Sequence, residues 1–310
     1  MTSIRVCPVC GSDDLELRNS YRGTHEYFLG LMRAHCRSCS MGFATPMPNE
    51  EALSEYNATY FATAHGGTPT GTVARAFFSG IAKLRIAYLE RYLSEQRVPV
   101  SRLLEFGPGP GFFAASWLER RPDTTYMAHE TDISCHADLE RLGIQLVGSV
   151  SSSEVVAPVD LVMMSHVLEH VNAPKAFLGH ATKSLRKGGV LFIEVPCLDY
   201  EHKLIDEPHL LFFDKKPMQY LLRTSGFADI EVGYYGQEID RLRSIPVMQK
   251  KWMSLRSRLI AHGLVAPFAS QKPGMESLTN PLERAVVAPF RAHCESSKPA
   301  WWLRAVARKQ

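Results

Sequence analysis

Residues 105–111 combine an acidic side chain with three alternating glycines, in the pattern Glu-x-Gly-x-Gly-x-Gly. Glycine has no Cβ and tolerates positive φ, so a turn of this kind lets the backbone approach a ligand closely. Pro108 and Pro110 carry no N–H, which leaves fewer donors than a phosphate group needs. An acidic residue beside the turn also repels a pyrophosphate and attracts a cation. The loop therefore favours a ligand with an ammonium or sulfonium group over one with phosphates.

Phe112 and Glu130 refine this interpretation. A dinucleotide fingerprint places its third glycine at position 112, where this chain has phenylalanine, so an NAD-linked oxidoreductase is disfavoured. Glu130 ends the next predicted strand, 19 residues after Gly111. A carboxylate at such a place can bind both hydroxyls of a ribose. The two glutamates thus indicate a nucleoside site, and the alternative for Glu130 is a solvated loop charge.

Four cysteines near the N-terminus form two C-x-x-C pairs. Each pair supplies two thiolates to a tetrahedral ion, and the separation of the pairs fits two hairpins. A redox motif requires only one such pair, and the sequence begins without the export signal that would favour disulfides. The sequence therefore predicts a structural zinc ion held by Cys7, Cys10, Cys36 and Cys39.

Alternating strands and helices must position these residues. Apolar runs predict a strand that ends at Phe106 and further strands over 125–130, 144–150, 160–164, 190–195 and 228–234. Helical spacing predicts helices over 73–96, 112–120, 172–185 and 217–224. The segment 301–308 alternates and is predicted as the last strand, paired antiparallel into the same sheet. This order defines an α/β fold.

The order of these motifs resembles the class I, seven-strand S-adenosylmethionine-dependent methyltransferases. The resemblance rests on the glycine loop, the acidic strand end at Glu130, the D-L-V-x-x-x-H-V-L-E-H motif of residues 160–170 and the L-R-K-G-G-x-L-x-I-E-V-P motif of residues 185–196, and it covers about residues 100–235. It implies a doubly wound seven-strand sheet of the Rossmann-like methyltransferase type, here preceded by a small zinc ribbon.

The resemblance also implies how S-adenosylmethionine is bound. The glycine loop holds the methionine part, Glu130 binds the ribose, Ser149 and Val150 flank the adenine, and residues 165–167 form the floor beneath the sulfonium. The cofactor-binding residues predicted in this way are Glu105, Phe106, Gly107, Pro108, Gly109, Gly111, Phe112, Glu130, Thr131, Val150, Ser165, His166, Val167, Tyr56 and Tyr60.

Tyr56 and Tyr60 belong to a segment with two interpretations. Methyltransferases with an N-terminal zinc ribbon that act on nucleotide-linked sugars are similar in having a tyrosine-bearing segment that folds over the cofactor. In the other interpretation the two tyrosines fasten the ribbon to the core.

The segment 199–214 follows a predicted strand at the edge where open α/β sheets bind substrates. Sugar methyltransferases of the ribbon-bearing type are similar in carrying a histidine, often after a glutamate, before an aromatic pair and a helix. That resemblance selects His209 as the general base, since a neutral imidazole with a pKa of about 6.5 can accept a hydroxyl proton. Glu207 and His166 are further catalytic candidates. The alternative for His209 is a capping or packing role.

The 310 residues carry a net charge of +3 that is unevenly distributed. From Gln237 onward 13 Lys and Arg face 5 Asp and Glu, which leaves the first 236 residues at about −5. The basic part suits an acidic acceptor or weak association with an anionic membrane surface, or it is simply a solvated face. No run of 18 apolar residues predicts a membrane span, and we expect a cytoplasmic protein.

These observations predict a zinc ribbon (1–45), a linker with helices that cover the cofactor site (46–98), a methyltransferase core (99–236), a basic helical insertion (237–299) and the final strand (300–310). The expected activity is methylation of a hydroxyl, in preference to a carbon, on a sugar, nucleotide-sugar or small metabolite. The alternative is a zinc-ribbon nucleic-acid-binding protein or RNA methyltransferase. It is disfavoured because the ribbon is not notably basic and lacks interleaved aromatic and basic residues.

Overall fold

The computed structural model describes residues 6–69, 71–148, 158–243 and 295–310, and isolated positions between the last two ranges. Ser149 and Val150, and nearly all of the helices predicted in the basic insertion, lie outside the described residues. Within the described part of the chain, no helix is both long enough and apolar enough to cross a membrane.

The strands and helices predicted for the core occur in the expected order, and short elements that the sequence does not predict lie between them. The strands are β1 (Leu15–Ser20), β2 (Met32–Cys36), β3 (Gly42–Thr45), β4 (Arg102–Phe106), β5 (Thr125–His129), β6 (Gln145–Leu146), β7 (Val159–Ser165), β8 (Leu185–Pro196), β9 (Leu211–Phe212), β10 (Phe227–Glu238), β11 (Glu295–Ser296) and β12 (Ala300–Lys309). The helices are α1 (Glu50–Ala58), α2 (Tyr60–His65), α3 (Thr72–Glu95), α4 (Phe112–Arg120), α5 (His136–Arg141), α6 (Pro174–Ser184), α7 (Lys215–Thr224) and α8 (Ile239–Leu242).

The main sheet has the strand order β11-β10-β12-β8-β7-β4-β5-β6. The strands from β8 to β6 are parallel, so their carboxyl ends meet at one edge. The C-terminal strand β12 inserts antiparallel between β8 and β10, as the sequence predicts. This arrangement is the doubly wound Rossmann-like methyltransferase sheet, and the two-residue strand β11 adds an unpredicted eighth strand at its edge.

Three of the predicted strands differ clearly from the sequence expectation, and one of them, β10, runs four residues beyond its predicted end at 234. The third parallel strand is only Gln145–Leu146, shorter than the predicted 144–150. Strand β8 begins directly after α6 and passes through Gly188, whose φ is +72°, instead of starting at Val190. The register of β8 against β7 shifts between Leu185 and Val190, an interval that contains this glycine, and residues 190–196 beyond it are buried in the sheet.

The N-terminal unit, residues 6–45, is called the ribbon below. Its strands β1, β2 and β3 form an antiparallel sheet, and β9 from the middle of the core joins this sheet beside β3. Phe43 pairs with Leu211 across that junction. The buried side chains of the ribbon and of one face of the main sheet therefore belong to a single apolar core, whereas α3 and α4 cover the other face.

Candidate active site

The glycine loop lies between β4 and α4, at the carboxyl edge of the sheet. Gly107 and Gly109 both have positive φ, +64° and +56°. A Cβ on Gly107 would stand 2.6 Å from Cγ2 of Val167, and one on Gly109 would stand 3.0 Å from Cζ of Phe61. The loop therefore needs glycine for its backbone conformation and for the close approach of the residues around it.

Glu130 is joined directly to this loop. Its Oε2 accepts a hydrogen bond of 2.7 Å from the N–H of Gly109, and its Oε1 accepts one of 2.8 Å from the N–H of Asp132. Burial raises the pKa of Glu130, although these backbone donors act in the opposite direction. The carboxylate at the end of β5 thus lies beside the glycine loop, as the spacing of the two motifs predicts.

Helix α2 covers the loop through Phe61. The N–H of Phe61 donates to Oδ2 of the buried Asp132 at 2.8 Å, which fixes the start of the helix against the end of β5. The ring of Tyr60 lies 5.5 Å from the ring of His170 and meets it edge-on. Tyr60 therefore connects the cover of the glycine loop with the histidines described below.

Tyr56, the other predicted tyrosine, lies against the ribbon. Its ring packs edge-on against Phe28 and His25 of the ribbon, each at 5.1 Å, and its hydroxyl donates to Oε1 of Glu207 at 3.3 Å. Of the two interpretations that the sequence leaves open, the position of Tyr56 supports attachment of the ribbon. It does not support the predicted contact with the cofactor.

The remaining predicted cofactor residues surround the loop at different depths. Glu105 is buried behind the loop, where it accepts a hydrogen bond from the hydroxyl of Tyr126, and burial raises the pKa of Glu105 to about 7. Phe106 is buried against the rings of His129 and Phe177. The other residues of this set are Pro108 in the loop, Gly111 and Phe112 at the start of α4, and the exposed Thr131 after β5.

Ser165, His166 and Val167 follow the end of β7. His166 has a φ of +56°, a rare conformation for a residue other than glycine. Its Nδ1 lies 3.3 Å from Oε1 of Glu169 and its Nε2 lies 3.7 Å from Oε1 of Glu194. Burial lowers the pKa of His166, but the two carboxylates outweigh burial and raise it overall.

His209 is held by a buried carboxylate. Its Nδ1 lies 2.5 Å from Oδ2 of Asp199, and Nζ of Lys203 lies 2.9 Å from the same oxygen. Burial alone would raise the pKa of Asp199, but His209 and Lys203 hold it well below its usual range. The backbone of His209 is fixed as well, since its carbonyl accepts a hydrogen bond of 3.1 Å from the hydroxyl of Tyr21 in the ribbon.

Glu207 is engaged by the ribbon. Its Oε2 accepts hydrogen bonds from the N–H groups of Thr24, at 2.6 Å, and His25, at 3.0 Å, and its Oε1 accepts from Tyr56. A carboxylate with these partners holds two segments together. The position of Glu207 therefore does not support the predicted catalytic role.

The four ribbon cysteines form a cluster whose ligand atoms all lie within 4.8 Å of one another. Sγ of Cys7 is 3.6 Å from Sγ of Cys39, and Sγ of Cys10 is 3.4 Å from Sγ of Cys36. Thiolates bound to zinc at ~2.3 Å in a tetrahedron lie about 3.8 Å apart. The cluster is thus compatible with a structural zinc ion.

Sequence reasoning did not assign a role to Phe61, Asp132, Glu169 or Asp199. Asp132 follows Glu130 by two residues, and Asp199 comes just after the end of β8, so both lie at strand ends where ligand-binding residues concentrate. Glu169 is part of the H-V-L-E-H motif, and its burial is visible only in the fold. Phe61 carries no local signal.

Several solved structures of methyltransferases are similar to this chain at low sequence identity. One is a methyltransferase from Thermotoga maritima, which is 14% identical over 75% of this chain and 100% of that chain, with a TM-score of 0.44. Another is a methyltransferase from Archaeoglobus fulgidus, which is 17% identical over 81% of this chain and 98% of that chain, with a TM-score of 0.46. A phosphoethanolamine N-methyltransferase 2 from Haemonchus contortus, solved with phosphomonomethylethanolamine and S-adenosylhomocysteine, reaches a TM-score of 0.50 at 14% identity over 86% of this chain and 62% of that one. A comparison with curated protein sequences gives no match.

The sheet order and the glycine loop at its carboxyl edge define a Rossmann-like methyltransferase fold. Residues 79–232 match the family model described as a methyltransferase domain, and this range contains the glycine loop, Glu130 and His209. This match covers just under half of the chain, and the part that it covers is similar to a methyltransferase domain.

Proposed function

We propose that this enzyme transfers the methyl group of S-adenosylmethionine to a hydroxyl of a small acceptor. The acceptor class is a sugar, a nucleotide-linked sugar or a comparable metabolite, and a carbon acceptor is the less favoured alternative. The observation that carries the proposal is the buried Asp199–His209 pair beside the edge of the sheet that bears the glycine loop. A hydroxyl must lose its proton to become an effective nucleophile, and an imidazole oriented in this way is suited to remove it.

The pair determines which nitrogen of His209 acts. With Asp199 as the acceptor of the Nδ1 proton, Nε2 of His209 keeps its lone pair for the hydroxyl of the acceptor. The proton moves to Nε2 as the oxygen attacks the methyl carbon. The bond between that carbon and sulfur breaks at the same time, so the products are a methyl ether and S-adenosylhomocysteine. Most of the rate comes from holding the two reactants in line, and the base adds a factor of roughly 10²–10⁴.

The cofactor site follows from the residues at the glycine loop. We assign the methionine part to the loop and the ribose hydroxyls to Glu130, with the floor formed by Ser165, His166 and Val167. The direct bond between Glu130 and Gly109 supports this assignment because it places a carboxylate beside the closest backbone approach. Phe61 packs against Gly109 and Tyr60 packs against His170, so α2 lies where it would shield a bound cofactor, and shielding from water strengthens electrostatic interactions.

We also propose that the ribbon binds one structural zinc ion through Cys7, Cys10, Cys36 and Cys39. Four thiolates leave no open position for chemistry, so the ion stabilises the ribbon without taking part in the reaction. Its effect on the reaction is indirect, because the ribbon contacts His209, Asp206 and Glu207.

Calorimetric titration of the full chain tests the cofactor assignment. S-adenosylhomocysteine should bind, whereas NAD should not, and RNA of mixed sequence should show no steep dependence of affinity on salt. Binding of NAD in place of S-adenosylhomocysteine would overturn the assignment. A steep salt slope with RNA would favour the RNA methyltransferase alternative.

His209→Asn tests the base. Methyl transfer from S-adenosylmethionine to a panel of sugar and phenol hydroxyls should fall in kcat by roughly 10²–10⁴-fold. Affinity for S-adenosylhomocysteine should remain near that of the unaltered enzyme. An unchanged kcat would remove His209 from the mechanism.

A further inference from the structure

Three side chains beside the proposed acceptor site form a second cluster of metal-ligating groups. One ligand atom each from Glu169, His170 and His209 lies within 4.8 Å of the others. Two ligands of one ion lie about 3.4 Å apart in a tetrahedron, and at most about 4.2 Å apart in any geometry, when each metal–ligand distance is ~2.1 Å. The cluster is therefore close to the size that one ion would need.

The ion pair with His166 is the closest polar contact of the buried Glu169 carboxylate, and it does not have the geometry of a hydrogen bond. The residue is 1% exposed, and neither of its carboxylate oxygens has a hydrogen-bond partner. The ring nitrogens nearest to Oε1 are Nδ1 of His166, at 3.3 Å, and Nε2 of His170, at 3.8 Å. Both ring nitrogens of His170 are likewise shielded from water and without a partner. Buried polar groups are almost always satisfied, so these atoms point to a group that binds between them.

The backbone holds this cluster together from two directions. Glu169 and His170 follow β7, and the carbonyl of Glu169 accepts a hydrogen bond of 2.7 Å from the N–H of Leu210. That bond fixes the segment carrying His209 against the segment carrying Glu169. The rings of His170 and His209 meet edge-on at 4.9 Å.

Asp199 gives His209 the orientation of a metal ligand. Histidines that bind metals usually donate their other ring N–H to a carboxylate, which fixes the tautomer and raises the basicity of the ligating nitrogen. Asp199 takes this position at Nδ1 of His209 and leaves Nε2 free to coordinate.

We propose that Glu169, His170 and His209 bind a divalent transition-metal ion such as Mn²⁺ or Zn²⁺. Two imidazoles and one carboxylate are a common ligand set for such ions, and three protein ligands leave positions open for a substrate oxygen. The site is distinct from the four-cysteine cluster of the ribbon.

The inference rests on the proposed methyl transfer to a hydroxyl and changes the role of His209 within it. A hydroxyl oxygen bound at the open position of a divalent ion has a lowered pKa, so it releases its proton to solvent before it attacks the methyl carbon. The bond between methyl carbon and sulfur then breaks as in the metal-free scheme. His209 serves as a ligand in this state, and the ion replaces its function as a base.

Titration of the full chain with MnCl₂ tests the site, because thiolate ligands such as those of the ribbon do not favour Mn²⁺. The paramagnetic resonance signal of free Mn²⁺ should disappear up to one equivalent per chain. Glu169→Gln and His170→Gln should each weaken binding by about 100-fold or more. His202→Gln, in the segment of His209 but outside the cluster, is the matched control and should bind Mn²⁺ normally. Binding of S-adenosylhomocysteine by both ligand variants verifies that they are folded.

Zinc content by elemental analysis completes the test. Two zinc ions per chain in the unaltered protein, and one in Glu169→Gln, would support the site as well. If neither Mn²⁺ nor Zn²⁺ binds beyond one zinc per chain, or if Glu169→Gln binds them as tightly, the metal site is refuted. If the protein without this second metal ion still transfers methyl groups, the proposed role of His209 as a base stands. If the protein fails to bind S-adenosylhomocysteine, the proposed function itself is refuted.

Discussion

The two sides of the proposed active site are built in different ways. On the side with the glycine loop, the loop and Glu130 come from one short stretch, residues 105–132, in which strand ends and backbone hydrogen bonds position the loop and this carboxylate. The side with His209 comes from residues 199–214, and it is held by the ribbon more than 170 positions earlier in the chain. The first side is a local property of a β-α-β unit, and the second exists only through tertiary contacts.

The ribbon holds the segment 199–214 through several polar contacts, of which those to Asp206, Glu207 and His209 are the most relevant to the site. Arg22 binds the buried carboxylate of Asp206 through its guanidinium and its backbone N–H. The N–H groups of Thr24 and His25 bind Glu207, and the hydroxyl of Tyr21 binds the carbonyl of His209. Hydrogen bonds to charged groups are worth about 1.5–3 kcal/mol each, so the ribbon contributes substantially to the order of this segment. The two sides should therefore respond independently to substitution.

The largest effect is expected from disruption of the four-cysteine cluster of the ribbon. Cys39→Ser removes one of the four thiolates and should release the proposed zinc ion, because such sites owe their fold to the metal. Displacement of His209 should then lower kcat by roughly 100-fold or more, since catalysis is sensitive to small misplacements. Affinity for S-adenosylhomocysteine should change by about twofold at most, as expected for distant sites. Zinc content, kcat and calorimetric affinity are the measurements.

Ser38→Ala is the control for this experiment, because Ser38 is exposed in the same cysteine pair and does not belong to the cluster. It should keep both its zinc and its activity. If Cys39→Ser loses affinity for S-adenosylhomocysteine as strongly as it loses kcat, the two sides are not independent.

Gly109→Ala should have a smaller effect, and this effect should fall on the glycine-loop side of the site. The φ of +56° costs a residue with a Cβ about 1–2 kcal/mol, and the new methyl group would press against Phe61 at 3.0 Å. Affinity for S-adenosylhomocysteine should fall by about 10-fold, with a smaller change in kcat at saturating cofactor. Gly179→Ala in α6, where a Cβ meets nothing within 4 Å, is the matched control. If Gly109→Ala binds S-adenosylhomocysteine as tightly as the unaltered enzyme does, the glycine loop does not bind the cofactor.

The difference between the two sides also explains how far the sequence predicts the site. The glycine loop, Glu130 and the strand order follow from local patterns, because parallel strands bring their ends to one edge of the sheet. The contact of Glu207 with the ribbon could not be predicted, since nothing in the residues around Glu207 encodes a partner at Thr24. The same holds for β9, a two-residue strand whose pairing with β3 depends on the docked ribbon.

The smallest effect concerns stability on the cofactor side, where Glu105 is buried behind the glycine loop with a pKa raised by burial from 4.5 to about 7. The unfolded chain therefore releases this proton at a lower pH than the native protein does. Ionisation destabilises the native state progressively as the pH rises from about 4.5 to 7, by about 3 kcal/mol in total, and the cost stays constant above that range. Glu105→Gln cannot ionise but can still accept the hydrogen bond from Tyr126. The free energy of unfolding in urea, measured from pH 4.5 to 8, should thus rise in the variant relative to the unaltered protein across this window. If the difference in free energy of unfolding between the variant and the unaltered protein does not vary with pH, the carboxyl group of Glu105 is solvated in the native state. The cofactor side would then have no buried carboxyl group behind the glycine loop.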